Sequence, residues 1–163
     1  MMIDIVVAFK EAFARFPSGV VIATTIDAQG QARGFTASSF SSVSLDPPLV
    51  LVCLSERSNT CPHVVEAGAF AVNILRSGDE SAKLGRYFAG KAENKFDGLG
   101  YTAEATGAPI LDTALAWFDC RLHETHAGGD HSIFVCHVIA AAARDAGTPL
   151  TFFRGDFSPP LSR

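Results

Sequence analysis

Apolar residues stand at Val6, Phe9, Phe13 and Phe16, spaced three, four and three, and this period predicts an amphipathic helix over residues 1–16. Pro17, Ser18 and Gly19 end the pattern, and Val20 to Ile26 is β-branched and apolar, as a strand would be. Asp27, Ala28, Gln29 and Gly30 read as a turn, with extended chain resuming at Gln31, so a hairpin is expected. Residues 34–42 are small and polar and read as a loop. Val43 to Asp46 and the breaker pair Pro47-Pro48 follow. Leu49 to Leu54 is an unbroken apolar run, which predicts a strand buried on both faces. Ser55 to Thr60 is a polar loop, and Pro62 suits the first turn of a short helix ending at Gly68. Ala69 to Leu75 reads as a strand, and Asp79 to Phe88 as a helix whose acidic first turn complements its dipole. Gly98, Gly100, Gly107 and Pro109 punctuate an expected long loop over 89–113. Two long strands, Ala114 to Thr125 and His131 to Ala143, flank the turn residues Ala127 to Asp130, and a last strand lies near Pro149 to Phe153.

About seven strands with two or three helices point to a mainly β fold, an antiparallel barrel. The length of 163 residues, without repeat or linker, suits one domain over 1–163. In Ile133 to Ile139 both alternating sets are apolar, so neither face suits water, and a homodimer is expected. Composition removes several classes. With 48% hydrophobic and 18% charged residues the chain is not disordered, and its longest apolar runs are six residues, too short for a membrane helix. The 13 basic residues include no adjacent pair and the net charge is −4, which argues against nucleic acid. Four cysteines without a CxxC pair give neither a disulfide scaffold nor a zinc ribbon. Cys120, His123, His126, His131, Cys136 and His137 read as residues of two facing strands, and no metal is expected. The opening segment lacks a basic region and carries Asp4, unlike a secretory signal, so a cytoplasmic location is expected.

The chain has no GxxxxGK, no GxGxxG after a strand, no GxSxG and no HExxH. Its chemical signal is hydroxyl density: Thr36, Ser38, Ser39, Ser41, Ser42 and Ser44, then Ser55, Ser58 and Thr60. One reading is a serine-rich loop satisfied by its own backbone. The other is a ligand with many acceptors and an anionic end. Ser58, Asn59 and Thr60 precede the Pro62 helix, where free amides favour a phosphate, and Arg57 adds charge. Thr36 to Ser39 could face a flat heteroaromatic ring.

Seven ordered segments carry a resemblance: FPSGVVIATT (16–25), GFTASSFSSVSLDPPLVLVCL (34–54), FAVNIL (70–75), YFAG (87–90), KFDG (95–98), GDHSIFV (129–135) and PLTFFRGDF (149–157). Across residues 10–157 the chain resembles the flavin reductase-like proteins, the small reductase components of two-component flavin-dependent monooxygenases. The resemblance implies a split β-barrel of the FMN-binding type with short flanking helices, built as a homodimer. It implies FMN or FAD, with NADH or NADPH as hydride donor, and a separate monooxygenase that receives reduced flavin. By the same resemblance Thr36, Ala37, Ser38 and Ser39 lie along the isoalloxazine and ribityl chain. Ser55, Ser58, Asn59 and Thr60 hold the phosphate end, and Phe88 stands near the flavin. His131 sits on the nicotinamide side as the catalytic candidate, orienting that ring or supplying a proton; its other reading is a residue that closes a hairpin. Phe153 and Arg154 help hold the pyridine nucleotide. Cys136 stands where the family often has Gly, and Asp79 and Glu80 where it often has Gln. Two further readings stay open: a flavoprotein with tightly held FMN that carries electrons or acts as an oxidase, and a non-enzymatic dimeric barrel binding another small ligand. Thirteen of sixteen aromatics are Phe. Phe9, Phe13 and Phe16 are expected to pack the first helix on the barrel, Phe70 and Phe134 to fill strands, and Phe40, Phe88 and Phe153 to rim a flat-ring site.

Overall fold

The structure is a computed structural model that describes residues 4–144 and 146–158. Helix α1 (Ile5–Phe13) begins at Asp4, whose carboxylate accepts the Val6 N–H at 2.9 Å. None of its residues is buried, and Phe9, Phe13 and Phe16 are 64%, 58% and 64% exposed. Their expected packing on the sheet is therefore corrected. Among the described residues no strand or helix covers the apolar stripe of α1, which faces outward.

β2 (Val21–Ile26) follows the two-residue β1 (Ser18–Gly19) and is buried from Val21 to Thr25. The turn at Asp27 leads into β3 (Ala32–Ala37), and the expected hairpin forms. Beyond it run β4 (Ser41–Leu45), β5 (Pro48–Ser55), α2 (Cys61–Ala67), β6 (Ala69–Ile74) and α3 (Asp79–Ala89). The segment expected as a polar loop over 34–42 thus contributes to two strands. The segment expected as a long loop over 89–113 holds a small hairpin, β7 (Tyr101–Ala103) and β8 (Pro109–Leu111). The long strands are β9 (Ala116–Gly128) and β10 (His131–Ala143), and β11 (Thr151–Phe153) pairs with β12 (Asp156–Ser158) and β1.

Seven strands form one antiparallel sheet in the order β3-β2-β6-β9-β10-β5-β4. The fold is mainly β with three helices, and the sheet is open: no ladder joins β3 to β4 among the described residues. One core lies within the curve of the sheet, with Phe70, Phe134, Val52, Val72, Cys120 and Cys136 packed beneath α2. A second lies on the other face of β2, where Ile22 and Leu75 meet Ala82 and Phe88 of α3. Asn73, wholly buried, donates to the Ile22 carbonyl at 3.1 Å and accepts the Leu111 N–H at 2.7 Å, pinning β8 to the sheet.

The two-faced burial expected for Leu49 to Leu54 is also corrected. Val50, Val52 and Leu54 are buried, while Leu49, Leu51 and Cys53 on the opposite face are half-buried. The neighbouring β10 behaves alike: Phe134 and Cys136 are buried, and Ile133 and Val135 on the opposite face are half-buried. Among the described residues no helix packs over this outer face.

Candidate functional site

β3 supplies the floor of a cleft of about 900 Å³, the loop 55–60 and the segment 88–95 supply its walls, and His131 stands at its edge. Thr36, Ala37, Ser38 and Ser39 enter from β3 and its exit, and Ser55, Ser58, Asn59 and Thr60 from the loop before α2. Phe88 and His131 line it too. The topology explains the gathering. Ser39 spans the gap between β3 and β5: its hydroxyl accepts the Cys53 N–H and donates to the Cys53 carbonyl, both at 3.0 Å. Antiparallel pairing sets His131 directly opposite Ser55.

The hydroxyls are already engaged. Thr36 donates to the Gly85 carbonyl at 2.7 Å, and Thr60 donates to the Gly34 carbonyl at 3.3 Å. Ser58 accepts the Thr60 N–H at 3.2 Å, and Ser55 accepts the Arg57 N–H at 3.3 Å. Backbone satisfaction, one of the two readings of the serine-rich segments, thus describes most of these groups. Ser38 and Asn59 are exposed, and their side chains have no hydrogen-bond partner among the described residues.

Phe88 is wholly buried and reaches the cleft from below. Gly34 lies on it so closely that a Cβ there would stand 2.8 Å from the Phe88 ring and 3.1 Å from the Ala23 carbonyl. Phe88 therefore supports the floor and does not rim it. Phe40 packs on Phe118, ring centroids 5.4 Å apart, outside the cleft. Phe153 and Arg154 are outside it as well: the Arg154 guanidinium lies over the Phe153 ring at 5.2 Å, and the Arg154 N–H donates to the Ala14 carbonyl at 3.2 Å.

His131 Nδ1 lies 2.7 Å from the Asp130 carboxylate, a bond that sets the ring and leaves Nε2 without a protein partner among the described residues. The hydrogen bond and charge of His131 hold the Asp130 carboxyl below its usual range.

Three cations given no role in the sequence analysis also line the cleft: Arg33, Lys91 and Lys95. Lys95 Nζ donates to the Phe88 carbonyl at 2.7 Å and to the Gly34 carbonyl at 3.3 Å, and burial lowers its pKa. Arg33 Nε donates to the Asp27 carboxylate at 2.8 Å. Burial pushes the Asp27 carboxyl up, but bonds from the Gln31 N–H, Arg33 and the Gln29 N–H outweigh it and hold the group below its ordinary value. Lys95 lies within the KFDG segment, which was the available signal; Arg33 carried none beyond its place beside Gly34.

All four cysteines are free. Burial pushes the Cys61, Cys120 and Cys136 thiols up, Cys136 to about 12. Cys136 fills the inner core; its pairing with β5 is regular, while the ladder to β9 shifts register between Val135 and Cys136. Among the described residues, no group of three His, Cys, Asp or Glu could hold a metal, and no helix is long and apolar enough to cross a membrane.

Comparison with known proteins gives this geometry a relationship. Residues 13–160 match the flavin reductase like domain. The chain is 41% identical over 143 residues to the actinorhodin polyketide dimerase of Streptomyces coelicolor, covering 88% of this chain and 80% of that protein. It is 40% identical over 147 residues to the reductase component of 4-hydroxyphenylacetate 3-monooxygenase from Thermus thermophilus, covering 90% of this chain and 91% of that protein. The structure of a Streptomyces globisporus NADH:FAD oxidoreductase in complex with NAD and FAD fragments superimposes with a TM-score of 0.87 at 36% identity, covering 96% of this chain and 94% of that one. The cleft and its floor thus lie inside a matched region that takes in nearly all of the sequence, and the chain belongs to the flavin reductase-like family.

Proposed function

We propose that this chain is an NAD(P)H-dependent flavin reductase that supplies reduced FMN or FAD to a partner monooxygenase. The observation that carries the reading is the single cleft in which β3, the loop 55–60 and His131 converge, on a chain of this family. Relatives are named as monooxygenase reductase components, an FMN reductase (NADH) and an NADH-dependent FAD reductase. The cleft suits a flavin: its volume is that of a small-molecule site, and its lining includes the small residues Gly34, Ala37 and Ser38 and four cations.

A flavin held by these residues would supply the hydride acceptor and a dihydronicotinamide the donor, chemistry that the two carry between them. The protein's part is positioning. Gly34, Ala37 and Ser38 leave the floor open to a flat ring, and the walls exclude water from it. Ser38 and Asn59 offer unengaged polar groups to the ring or side chain. Asp130 holds His131 through Nδ1, so that Nε2 can orient the nicotinamide or move a proton at the ring.

Three finer features belong to the same reading. The Ser39–Cys53 bridge supports a split barrel, since it ties the exit of the edge strand β3 to β5, the strand next to the other edge. The outward stripe of α1 and the uncovered face of β5 and β10 support a homodimer, and a role for Phe153 and Arg154 at the pyridine nucleotide then rests on the second copy. The free thiols suit a reducing compartment such as the cytoplasm.

The test is NADH oxidation by purified protein passed through gel filtration. The reading expects a colourless protein that oxidises NADH only when FMN or FAD is added. A yellow protein with stoichiometric flavin would support an electron carrier or oxidase instead, and no flavin-dependent oxidation with NADH or NADPH would remove the reductase.

A further inference from the structure

We propose that the outer face of β5, β10 and β9 docks a second copy of this chain, and that His123, His126 and His137 on it release that copy as pH falls. The proposal rests on the homodimer reading above and adds to it a set of residues that controls when the copies meet.

Strand register lays the face out in rows. Cys53, Ile133 and His126 stand side by side across β5, β10 and β9. Leu51, Val135 and Glu124 form the next row, and Leu49, His137 and Arg121 the one after. Phe134 and Cys136, between these rows on β10, belong to the inner core, so the rows themselves face outward. The ladder of β10 with β9 shifts register between Val135 and Cys136, which leaves His123 as the extra residue of a bulge. Its ring meets that of His137, with centroids 4.5 Å apart. The Glu124 carboxylate lies 2.9 Å from His126 Nε2 and 3.6 Å from His123 Nε2. Arg121, His123, Glu124 and His126 are exposed, and His137 is half-buried.

Charge identifies the occupant. The face is apolar on β5, and its β9 side holds one cation and one carboxylate, Arg121 and Glu124, in adjacent rows. A patch with both signs beside apolar side chains complements itself in a twofold interface, where each copy presents the same surface. A partner of one dominant charge finds no opposite field here while the imidazoles are neutral. Imidazole is the side chain that changes charge between about pH 5 and 8. Once the three rings are protonated, Glu124 is the one carboxylate in these rows against Arg121 and three imidazoliums. A second copy doubles that excess and holds it away from water, where like charges repel more strongly. The neighbouring elements do not offset it. β4 sets Ser41 and Ser44 opposite Leu51 and Leu49, and β6 sets Ala69 opposite Arg121. The other titratable groups toward the face are the Cys53 thiol and His131, whose charge Asp130 already meets at the rim of the cleft.

Sedimentation velocity over a dilution series tests this on wild-type protein at about pH 8 and about pH 5.5, on either side of imidazole titration. The expected result is a dimer at the higher pH whose Kd rises about a hundredfold or more at the lower, the scale of several like charges brought together. Near-UV circular dichroism should be the same at both pH values, and added salt should recover part of the dimer at the lower one by screening the repulsion. A double variant, His123→Gln with His137→Gln, should be dimeric at the higher pH and lose most of the pH step. Leu51→Arg, in the middle row, should be monomeric at both. A wild-type Kd that is equal at the two pH values, a step left whole in the double variant, or a near-UV signal lost in acid would overturn the histidine control. An intact Leu51→Arg dimer would overturn the docking face. Wild-type protein that is monomeric at both pH values would instead overturn the homodimer reading itself.

Discussion

Lys95 and Thr60 donate to the same acceptor, the carbonyl oxygen of Gly34, each at 3.3 Å. One backbone oxygen in the middle of β3 thus joins the segment after α3 to the start of α2, and the cleft is walled by the two segments that meet there.

Gly34 has no room to change. A Cβ would press on the wholly buried Phe88 ring and on the backbone of β2. Gly34→Ala should cost about 1–3 kcal/mol, as overpacking of a filled core does, and lower flavin affinity as β3 shifts. Thermal unfolding reads the first effect, and adding Phe88→Leu should recover part of it. A Gly34→Ala protein as stable as wild type would mean that the floor is not packed as described.

Acid stability should depend on Asp27. Its folded pKa lies below the ordinary 3.8, so its contribution is complete above that value and is lost as pH falls through the lowered one. Melting temperature measured from neutral pH into the acid range should be lower for Asp27→Asn near pH 7, with the gap to wild type closing below about pH 4. A gap that is constant with pH would contradict the ionised pairing with Arg33.

Thiol labelling reports on the cleft from outside the reaction. Cys53 lines the cleft and is the one cysteine of the four that is not buried. Cys61, Cys120 and Cys136 carry thiols held protonated by burial. Native protein should therefore react first at Cys53, and saturating FMN should slow that reaction. Labelling that is indifferent to FMN would place the flavin elsewhere.

His131→Ala should slow flavin-dependent NADH oxidation about a hundredfold or more, the scale of a lost acid–base or orienting group, with flavin affinity near wild type. Steady-state and quenching measurements separate the two. An unchanged rate would leave His131 as the residue that closes the β9–β10 turn.

Local chemistry made much of this fold legible. The Asp27–Gly30 turn, the α2 helix set between Pro62 and Gly68, and β10 with its ends at His131 and Ala143 all follow from period and turn residues. The three-residue strands β7, β8 and β12 do not, because pairing across distance and not propensity makes them strands. The spacing of Phe9, Phe13 and Phe16 indicates that α1 has an apolar face but carries no information on what covers it. Residues of the cleft that sit in hydroxyl-rich runs could be found by composition. Arg33 could not, being a single charge, and Lys95 was marked only by its KFDG segment, since the Gly34 carbonyl it bonds is 61 residues away.

The central claim is that flavin reduction takes place in the cleft over β3. The most direct measurement is flavin-dependent NADH oxidation by Ser38→Trp, since Ser38 lines the cleft, is exposed and has no hydrogen-bond partner among the described residues. A large ring there should fill the ligand's space and leave both cores untouched. The account predicts a melting temperature near wild type with oxidation down by about a hundredfold or more, the scale of a mispositioned reactant. A folded Ser38→Trp protein that oxidises NADH at the wild-type rate on addition of FMN or FAD would contradict it.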